Sequence, residues 1–309
     1  MAAYLVTGGC GFIGSHLVDA LRADGHSVRI LDDLSTGKRE NVPAVEDIVI
    51  GDVADADVVK QAMDGMDGCF HLAAIASVQR SNEEWVLTHR VNLTGTVNVF
   101  DAARSAKDGA PVPVVYASSA AVYGDNPAVP LSEDAEKCPL TAYGADKLGC
   151  EQHARVAGNV HGVPTTGFRF FNIYGPRQDP GSPYSGVISI FADRLASGQT
   201  ATLHGDGGQR RDFVYVGDCV RFVMAGMEKA STAADVFNIC TGTPSSLLDL
   251  IAALSDAGGR ELKVEHGPAR IGDIRESFGD AAKTSAAFGM TVETSLRDGL
   301  ARTLRSLAE

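Results

Sequence analysis

No stretch of this 309-residue chain approaches the roughly 20 consecutive apolar residues that a membrane-spanning helix requires, so no span is predicted. Positive charge is also scarce. Lys and Arg number 27 against 39 Asp and Glu, giving a formal net charge of -12 and a pI near 5.1. Such a balance excludes broad contact with nucleic acid or an anionic membrane surface, and any phosphate group must be held by a few local basic residues. The opening Met1-Ala2-Ala3-Tyr4-Leu5-Val6-Thr7 has neither a basic n-region nor a cleavage site, and a cytoplasmic location is expected. The six cysteines, Cys10, Cys69, Cys138, Cys150, Cys219 and Cys240, stand singly. With no C-x-x-C and no histidine at zinc spacing they are expected to be reduced, structural thiols, and no metal site is predicted. The chain also lacks low-complexity tracts, repeats of about 20 to 50 residues and any Pro/Gly-rich linker. Its length suits two parts, which must then be closely joined, with the chain crossing between them more than once.

What is present begins with glycine. The apolar run Tyr4 to Thr7 ends in Gly8-Gly9-Cys10-Gly11-Phe12-Ile13-Gly14, a helical pattern follows through Leu17, Val18 and Leu21, and Ser27 to Leu31 reads as a second strand. Glycines suit this βαβ unit because the backbone must turn tightly, let a pyrophosphate approach the helix N-terminus and pack helix on strand. The N-H groups at Phe12 and Ile13 belong to that anion-binding end. A lone G-x-G-x-x-G is weak evidence, but Asp32 follows the second strand, placed to accept hydrogen bonds from ribose hydroxyls. A carboxylate there repels a 2'-phosphate and favours NAD over NADP. Asp33 competes for the same role, with Ser35 just beyond it in the loop.

Strand and helix signals continue to alternate. Ile48 to Ile50 precedes Gly51-Asp52-Val53, Cys69 to Leu72 precedes Ala73-Ala74, Val112 to Tyr116 precedes Ala117-Ser118-Ser119, and Thr165 to Phe170 precedes Phe171-Asn172. The pattern predicts a Rossmann-type, doubly wound parallel sheet. Ligands of such sheets sit beyond the C-terminal strand ends, so Asp52, Val53, Leu72, Ala73, Ala74, Ser118 and Ser119 are expected to converge. Asp52 equally fits a helix N-cap or a turn.

Tyr143 and Lys147 lie four apart in a helical stretch and so share one face. Alone, that spacing suits an ordinary surface pair. Here it follows a strand that ends in two serines, so hydroxyl, phenol and ammonium can meet. A free phenol, with a pKa near 10, is a poor base at neutral pH, and a neighbouring ammonium together with a positive nicotinamide favours the phenolate.

The series Gly8-x-x-Gly11-x-x-Gly14, Asp32, Ser119 before Val122-Tyr123-Gly124, and Tyr143-x-x-x-Lys147 resembles the extended short-chain dehydrogenase/reductases, in order. Phe170-Phe171-Asn172-Ile173-Tyr174-Gly175-Pro176-Arg177-Gln178-Asp179-Pro180, Arg210-Arg211-Asp212-Phe213 and Arg270-x-Gly272-Asp273-Ile274-Arg275-x-Ser277 are similar to nucleotide-sugar enzymes, above all the UDP-hexose 4-epimerases, essentially end to end. The resemblance implies catalytic Tyr143, Lys147 and Ser119. It implies a cofactor site that adds Asn92 and Phe170 to the residues above, with Ser118 serving the cofactor or the local structure. It also implies a UDP-sugar site of Ser119, Asn172, Arg177, Arg211, Arg270, Asp273 and Ser277. The chemistry implied is oxidation at C4 by bound NAD and re-reduction of the turned keto sugar on its other face, with the UDP held fixed.

Related dehydratases carry an Asp-Glu pair, and the UDP-glucuronate decarboxylases a glutamate, where this chain has Ala120-Ala121, so elimination is not expected. Uronate epimerases, which favour hydroxyl residues there, fit less well. In the epimerases a tyrosine at the position of Ser277 limits the pocket to glucose and galactose, so Ser277 implies room for a 2-acetamido group. Two departures stand out: Ala76 where some epimerases have lysine, and Phe170 where some relatives have tyrosine beside the nicotinamide. An NDP-4-ketosugar reductase is the alternative enzyme, and a dinucleotide sensor the non-enzyme alternative.

The resemblance further implies a smaller C-terminal α/β substrate-binding domain. The expected division is 1-172 plus about 213-240 for NAD, and 173-212 with 241-309 for the nucleotide sugar. A homodimer is expected, joined through helices over Asn82 to Ala106 and Tyr143 to Val160, with Val91, Val99, Leu148 and Val156 at apolar spacing. Leu296 to Leu307 reads as an ordinary amphipathic helix.

Overall fold

Leu5, Val6 and Thr7 of the strand Ala3–Thr7 are completely buried, as expected of a strand covered on both faces. The computed structural model describes residues 1–181, 186–269 and 273–307. Its main sheet has seven strands in the order Asp235–Ile239, Thr165–Phe170, Val114–Ser119, Gly68–His71, Ala3–Thr7, Ser27–Asp32, Ile48–Ile50. From Val114–Ser119 across to Ile48–Ile50 each neighbouring pair runs parallel. The strand order reverses between Ala3–Thr7 and Gly68–His71, so the crevice of this doubly wound Rossmann sheet opens at their C-terminal ends.

The chain divides into two compact units. The first comprises Met1–Val122, Pro139–Arg169 and Val220–Phe237. Its core joins Leu5, Leu31, Met63, Phe100, Val114, Tyr116 and Cys150, drawn from strands and from helices packed on them. The second comprises Tyr123–Cys138, Phe170–Cys219 and the chain from Asn238 onward. It has its own core around Phe191, Leu195, Leu203, Leu250, Leu254 and Leu300, and three small sheets.

These bounds differ from the sequence division at 123–138, 170–172, 213–219 and 238–240, which lie in the second unit. A buried polar cluster explains the first difference. The Tyr123 hydroxyl donates to Asn238 Oδ1 at 2.7 Å, Asn238 Nδ2 donates to the Leu131 carbonyl at 2.9 Å, and Glu133 accepts from the Asn238 amide at 2.7 Å. Buried polar groups must pair, and these three tie the segment to Asn238.

The helix expected over Asn82 to Ala106 is interrupted once, after Val78–Glu83; beyond that, Trp85–His89, the π turn Arg90–Thr94 and Gly95–Ala103 follow one another without a break. Glu84, at φ -116° and ψ 52°, leaves the helical region and ends the first piece. Val99 is fully buried in the first unit's core and the partly buried Val91 packs against it, while Val156 is 46% exposed. The helix over Tyr143 to Val160 forms as Ala142–His161, and the last helix as Leu296–Ser306. Among the described residues no helix is long and apolar enough to cross a membrane.

Candidate active site

The glycine turn leaves Ala3–Thr7 through Gly8, at φ +70°, and enters the helix Phe12–Ala23. No side chain caps that helix at Gly11, and the first N-H groups, at Phe12, Ile13 and Gly14, lack intrahelical acceptors. A Cβ on Gly14 would stand 2.1 Å from the Gly8 carbonyl oxygen, so the tight turn excludes any side chain there. The result is a bare, positively polarised helix end, shaped for an anion.

Asp32 ends the strand Ser27–Asp32 and is buried. Its carboxylate accepts from the Cys10 amide at 2.9 Å and the Leu34 amide at 2.9 Å. The first bond pins it to the glycine turn. Burial raises its pKa, against those two hydrogen bonds. Asp33 is exposed and accepts from the Ser35 amide at 2.9 Å and the Ser35 hydroxyl at 2.6 Å, forming a local turn. Of the two carboxylates, Asp32 is the one locked beside the phosphate-type cradle. Asp52 is also a turn former, accepting from the Ala54 amide at 2.9 Å, while the neighbouring Val53 is buried.

Beyond Gly68–His71, Leu72 donates through its amide to the Thr7 carbonyl and Ala73 to the Thr7 hydroxyl at 3.2 Å, which brings Leu72-Ala73-Ala74 beside the glycine turn. Asn92 braces the same loop. Its Oδ1 accepts from the Ile75 amide at 2.8 Å and its Nδ2 donates to the Ile75 carbonyl at 3.1 Å. The π turn that carries Asn92 is a helix irregularity of the kind often found at functional sites. Behind the loop lies His71, which the sequence reading missed. Its Nδ1 is 2.7 Å from Thr7 Oγ1 and its Nε2 is 3.0 Å from Thr96 Oγ1. Thr96 donates to the Asn92 carbonyl, so it accepts from Nε2-H. Burial, then the Lys147 ammonium, pushes His71 down to about 3, and the ring is neutral.

The catalytic candidates stand on the next strand and the helix after it. Thr141 caps the helix Ala142–His161, its hydroxyl accepting from the Gly144 amide at 3.1 Å. Tyr143, in the first turn, donates through its amide to Ser81 Oγ at 3.2 Å. Lys147, one turn on, is buried and donates to the Ala117 carbonyl at 2.8 Å, with its nitrogen 5.8 Å from the Tyr143 ring centre. Two residues beyond that carbonyl, Ser119 Oγ accepts from the Ala121 amide at 3.2 Å. Lys147 thus bridges the helix to the strand that delivers Ser119. The Ser118 hydroxyl is buried and donates to Glu151 at 2.6 Å, and Glu151 in turn receives Arg169. A carboxylate four residues after Lys147 was the sequence signal for this partner, and it went unread.

In the second unit, Arg211 Nη2 donates to Asp273 Oδ1 at 2.7 Å, and Gln209 Nε2 donates to Asp273 Oδ2 at 3.0 Å. Burial lowers the Arg211 pKa while Asp273 opposes the shift. Ser277 pairs directly with Arg211 between neighbouring strands, so a small side chain lies beside the guanidinium-bearing position. Phe170 is partly buried, Asn172 is exposed on the strand Asn172–Tyr174, and Arg177 is exposed with φ +65°. Arg270 lies outside the described residues. No group of three or more His, Cys, Asp or Glu among the described residues is placed to hold a metal ion.

The model of the NAD dependent epimerase/dehydratase family matches residues 4–240. The chain belongs to that family. As an epimerase/dehydratase-family member it is 38% identical over 307 residues to the UDP-glucose 4-epimerase of Mycolicibacterium smegmatis, covering 97% of this chain and 96% of that protein. The crystal structure of the Thermotoga maritima UDP-glucose 4-epimerase with UDP-glucose matches at a TM-score of 0.94 and 32% identity, covering 99% of this chain and 98% of that one. The UDP-N-acetylglucosamine 4-epimerase of Methanobrevibacter ruminantium, in complex with UDP-N-acetylmuramic acid, matches at 0.93 and 34%, with the same coverage of both chains. The family's dinucleotide fits the residues present: a bare helix end for the pyrophosphate, a turn that admits no Cβ, and an acceptor carboxylate beside it for a ribose diol.

Proposed function

We propose that the chain is an NAD-dependent UDP-hexose 4-epimerase that interconverts UDP-glucose and UDP-galactose. The observation that carries this reading is the seating of Tyr143 and Lys147, with Lys147 bonded to the strand that ends in Ser119. Tyr143 takes the proton of the sugar 4-hydroxyl and later returns it, Lys147 holds a positive charge beside the phenol, and Ser119 orients the same hydroxyl. Bound NAD supplies a hydride acceptor and then a hydride donor at C4. Gly8, Gly11, Phe12, Ile13 and Gly14 hold its pyrophosphate, Asp32 its adenosine ribose, and Leu72, Ala73, Ala74 and Asn92 line its path. Ala120 and Ala121 carry no ionisable group, so no base is supplied there for dehydration.

Asn172, Arg211 and Arg270 serve the diphosphate, with Arg177 and Asp273 as further polar contacts. An acidic chain concentrates its cations there. Ser277 is small and neighbours Arg211 in the strand pairing, which supports acceptance of UDP-GlcNAc and UDP-GalNAc as well. We assign the enzyme to the cytoplasm, in keeping with six unpaired thiols. We also assign it to a homodimer, supported by Trp85, Val86 and Val160, which are 68%, 84% and 68% exposed on the two helices concerned.

The test is to denature protein purified without added nicotinamide and assay released NAD, then to incubate the native protein with UDP-glucose and UDP-GlcNAc separately. Bound NAD, formation of both 4-epimers, and loss of both conversions in Tyr143→Phe support the reading. An absence of epimer, with NAD(P)H consumed only when a keto sugar is supplied, refutes it in favour of a reductase.

A further inference from the structure

Tyr143, Lys147 and Glu151 recur at four-residue spacing on the helix Ala142–His161 and so follow one another along one face. The first two belong to the proposed chemistry. Glu151 faces inward, and its carboxylate is almost fully enclosed. Arg169, on the strand Thr165–Phe170, grips it with two parallel bonds, Nε to Oε1 at 2.8 Å and Nη2 to Oε2 at 2.7 Å, at side-chain exposures of 4% and 6%. The Ser118 hydroxyl donates to the same Oε1 at 2.6 Å.

A buried ion pair is weak evidence for stability, because the desolvation of two charges offsets much of their attraction. Its strength is geometric: the planar guanidinium fixes the orientation of the carboxylate plane. The carboxylate so fixed is the acceptor for Ser118, the residue before Ser119. Successive side chains of a strand point to opposite faces, so holding Ser118 toward Glu151 sets the direction in which Ser119 leaves the strand end. Lys147 holds the Ala117 carbonyl just upstream. The strand end Ala117-Ser118-Ser119 is thereby clamped to the catalytic helix at two consecutive residues, by Lys147 and by Glu151.

We infer that Glu151, oriented by Arg169, is a positioning residue for the epimerase reaction: through Ser118 it aligns Ser119 with Tyr143. The inference rests on the epimerase reading above. Misplacing a catalytic group by about 1 Å costs about a hundredfold in rate, and the loss falls on the chemical step rather than on the binding of a substrate gripped through its diphosphate.

The experiment compares the NAD-loaded wild type with Ser118→Ala, Glu151→Gln and the double variant, measuring bound NAD, Tm, kcat and KM for UDP-glucose. Ser118→Ala is expected to retain NAD and fold while kcat falls about tenfold at a KM within twofold of wild type. Glu151→Gln is expected to lose about tenfold in kcat as well, with the double variant no slower than either single one, because both changes release one contact. Should Glu151→Gln fail to fold around an uncompensated Arg169, Ser118→Ala decides alone. Wild-type kcat in Ser118→Ala overturns the inference, as does a loss of bound NAD with wild-type turnover per NAD retained, which would make Ser118 a cofactor contact. A wild type that forms no epimer overturns instead the reading on which the inference stands.

Discussion

A Cβ placed on Gly144 would stand 2.6 Å from the carbonyl oxygen of Ala121. The first turn of the helix Ala142–His161 therefore rests directly on the short turn Ala120–Tyr123 that follows Ser119. Backbone is the obstacle, so a substituted helix must move away. Gly144→Ala is expected to cost about 1–3 kcal/mol of stability, the range for overpacking, and to slow turnover more than it weakens UDP-sugar binding, because Tyr143 shifts with the helix. Thermal unfolding together with kcat and KM measures both effects. A fully active variant would mean that the contact does not set the position of Tyr143.

His71 makes stability depend on pH in a defined direction. Its folded-state pKa, about 3, lies below the value near 6.5 of an unfolded histidine, so the unfolded chain binds the proton first as pH falls. Its contribution is complete above about pH 6.5 and is lost as the pH drops from there toward 3, at up to about 1.4 kcal/mol per unit. Urea unfolding at pH 7 and pH 5 should show His71→Asn less stable than wild type at pH 7, and with a smaller loss on acidification. Equal losses in the two proteins would remove His71 as the cause.

Thiol reactivity separates one cysteine from five. Cys10, Cys69, Cys150, Cys219 and Cys240 are buried, and Cys138 is exposed. Burial, then the Asp32 charge, pushes the Cys10 thiol up to about 11, and burial likewise raises Cys69, Cys150, Cys219 and Cys240. A thiol is reactive as its thiolate, so titration of the native protein at pH 8 should consume one equivalent, and denaturation should release six. The cofactor should stay bound during the native titration, since Cys10 in the glycine turn is among the protected thiols.

Ser277→Tyr should narrow the substrate range. If the proposed sugar site adjoins the Ser277–Arg211 pairing, a phenol there fills it, and turnover of UDP-GlcNAc should fall at least about tenfold relative to UDP-glucose. Parallel loss of both substrates would show that the new ring disturbs Arg211 rather than the sugar pocket.

The parts legible in the sequence are those encoded within a few residues of one another. The glycine turn, Asp32 at the following strand end and the Tyr143-Lys147 spacing each follow from local geometry: the first two stand at strand ends of one sheet, and Lys147 reaches from its helix to the strand that ends in Ser119. What escaped depends on the register between elements far apart in sequence. Nothing near Thr7 announces that its hydroxyl meets His71 across two strands, and nothing near Glu151 announces Arg169 on the neighbouring strand. The break at Glu84 was hidden because the flanking residues all suit helix, and the kinship of Tyr123–Cys138 with Asn238 rests on buried hydrogen bonds that leave no periodic trace.

The two units interleave as three chain segments each, and this bears on how the protein comes into being. The edge strand Asp235–Ile239 completes a sheet whose other six strands are all synthesised by Phe170. A chain emerging from the ribosome at about 5–20 residues per second thus carries an open sheet edge along Thr165–Phe170 for several seconds. Unpaired edges invite pairing with other chains. Neither unit corresponds to a continuous length of gene, so recombination cannot exchange the second unit for another in a single event. A new sugar specificity must arise by replacing residues in place.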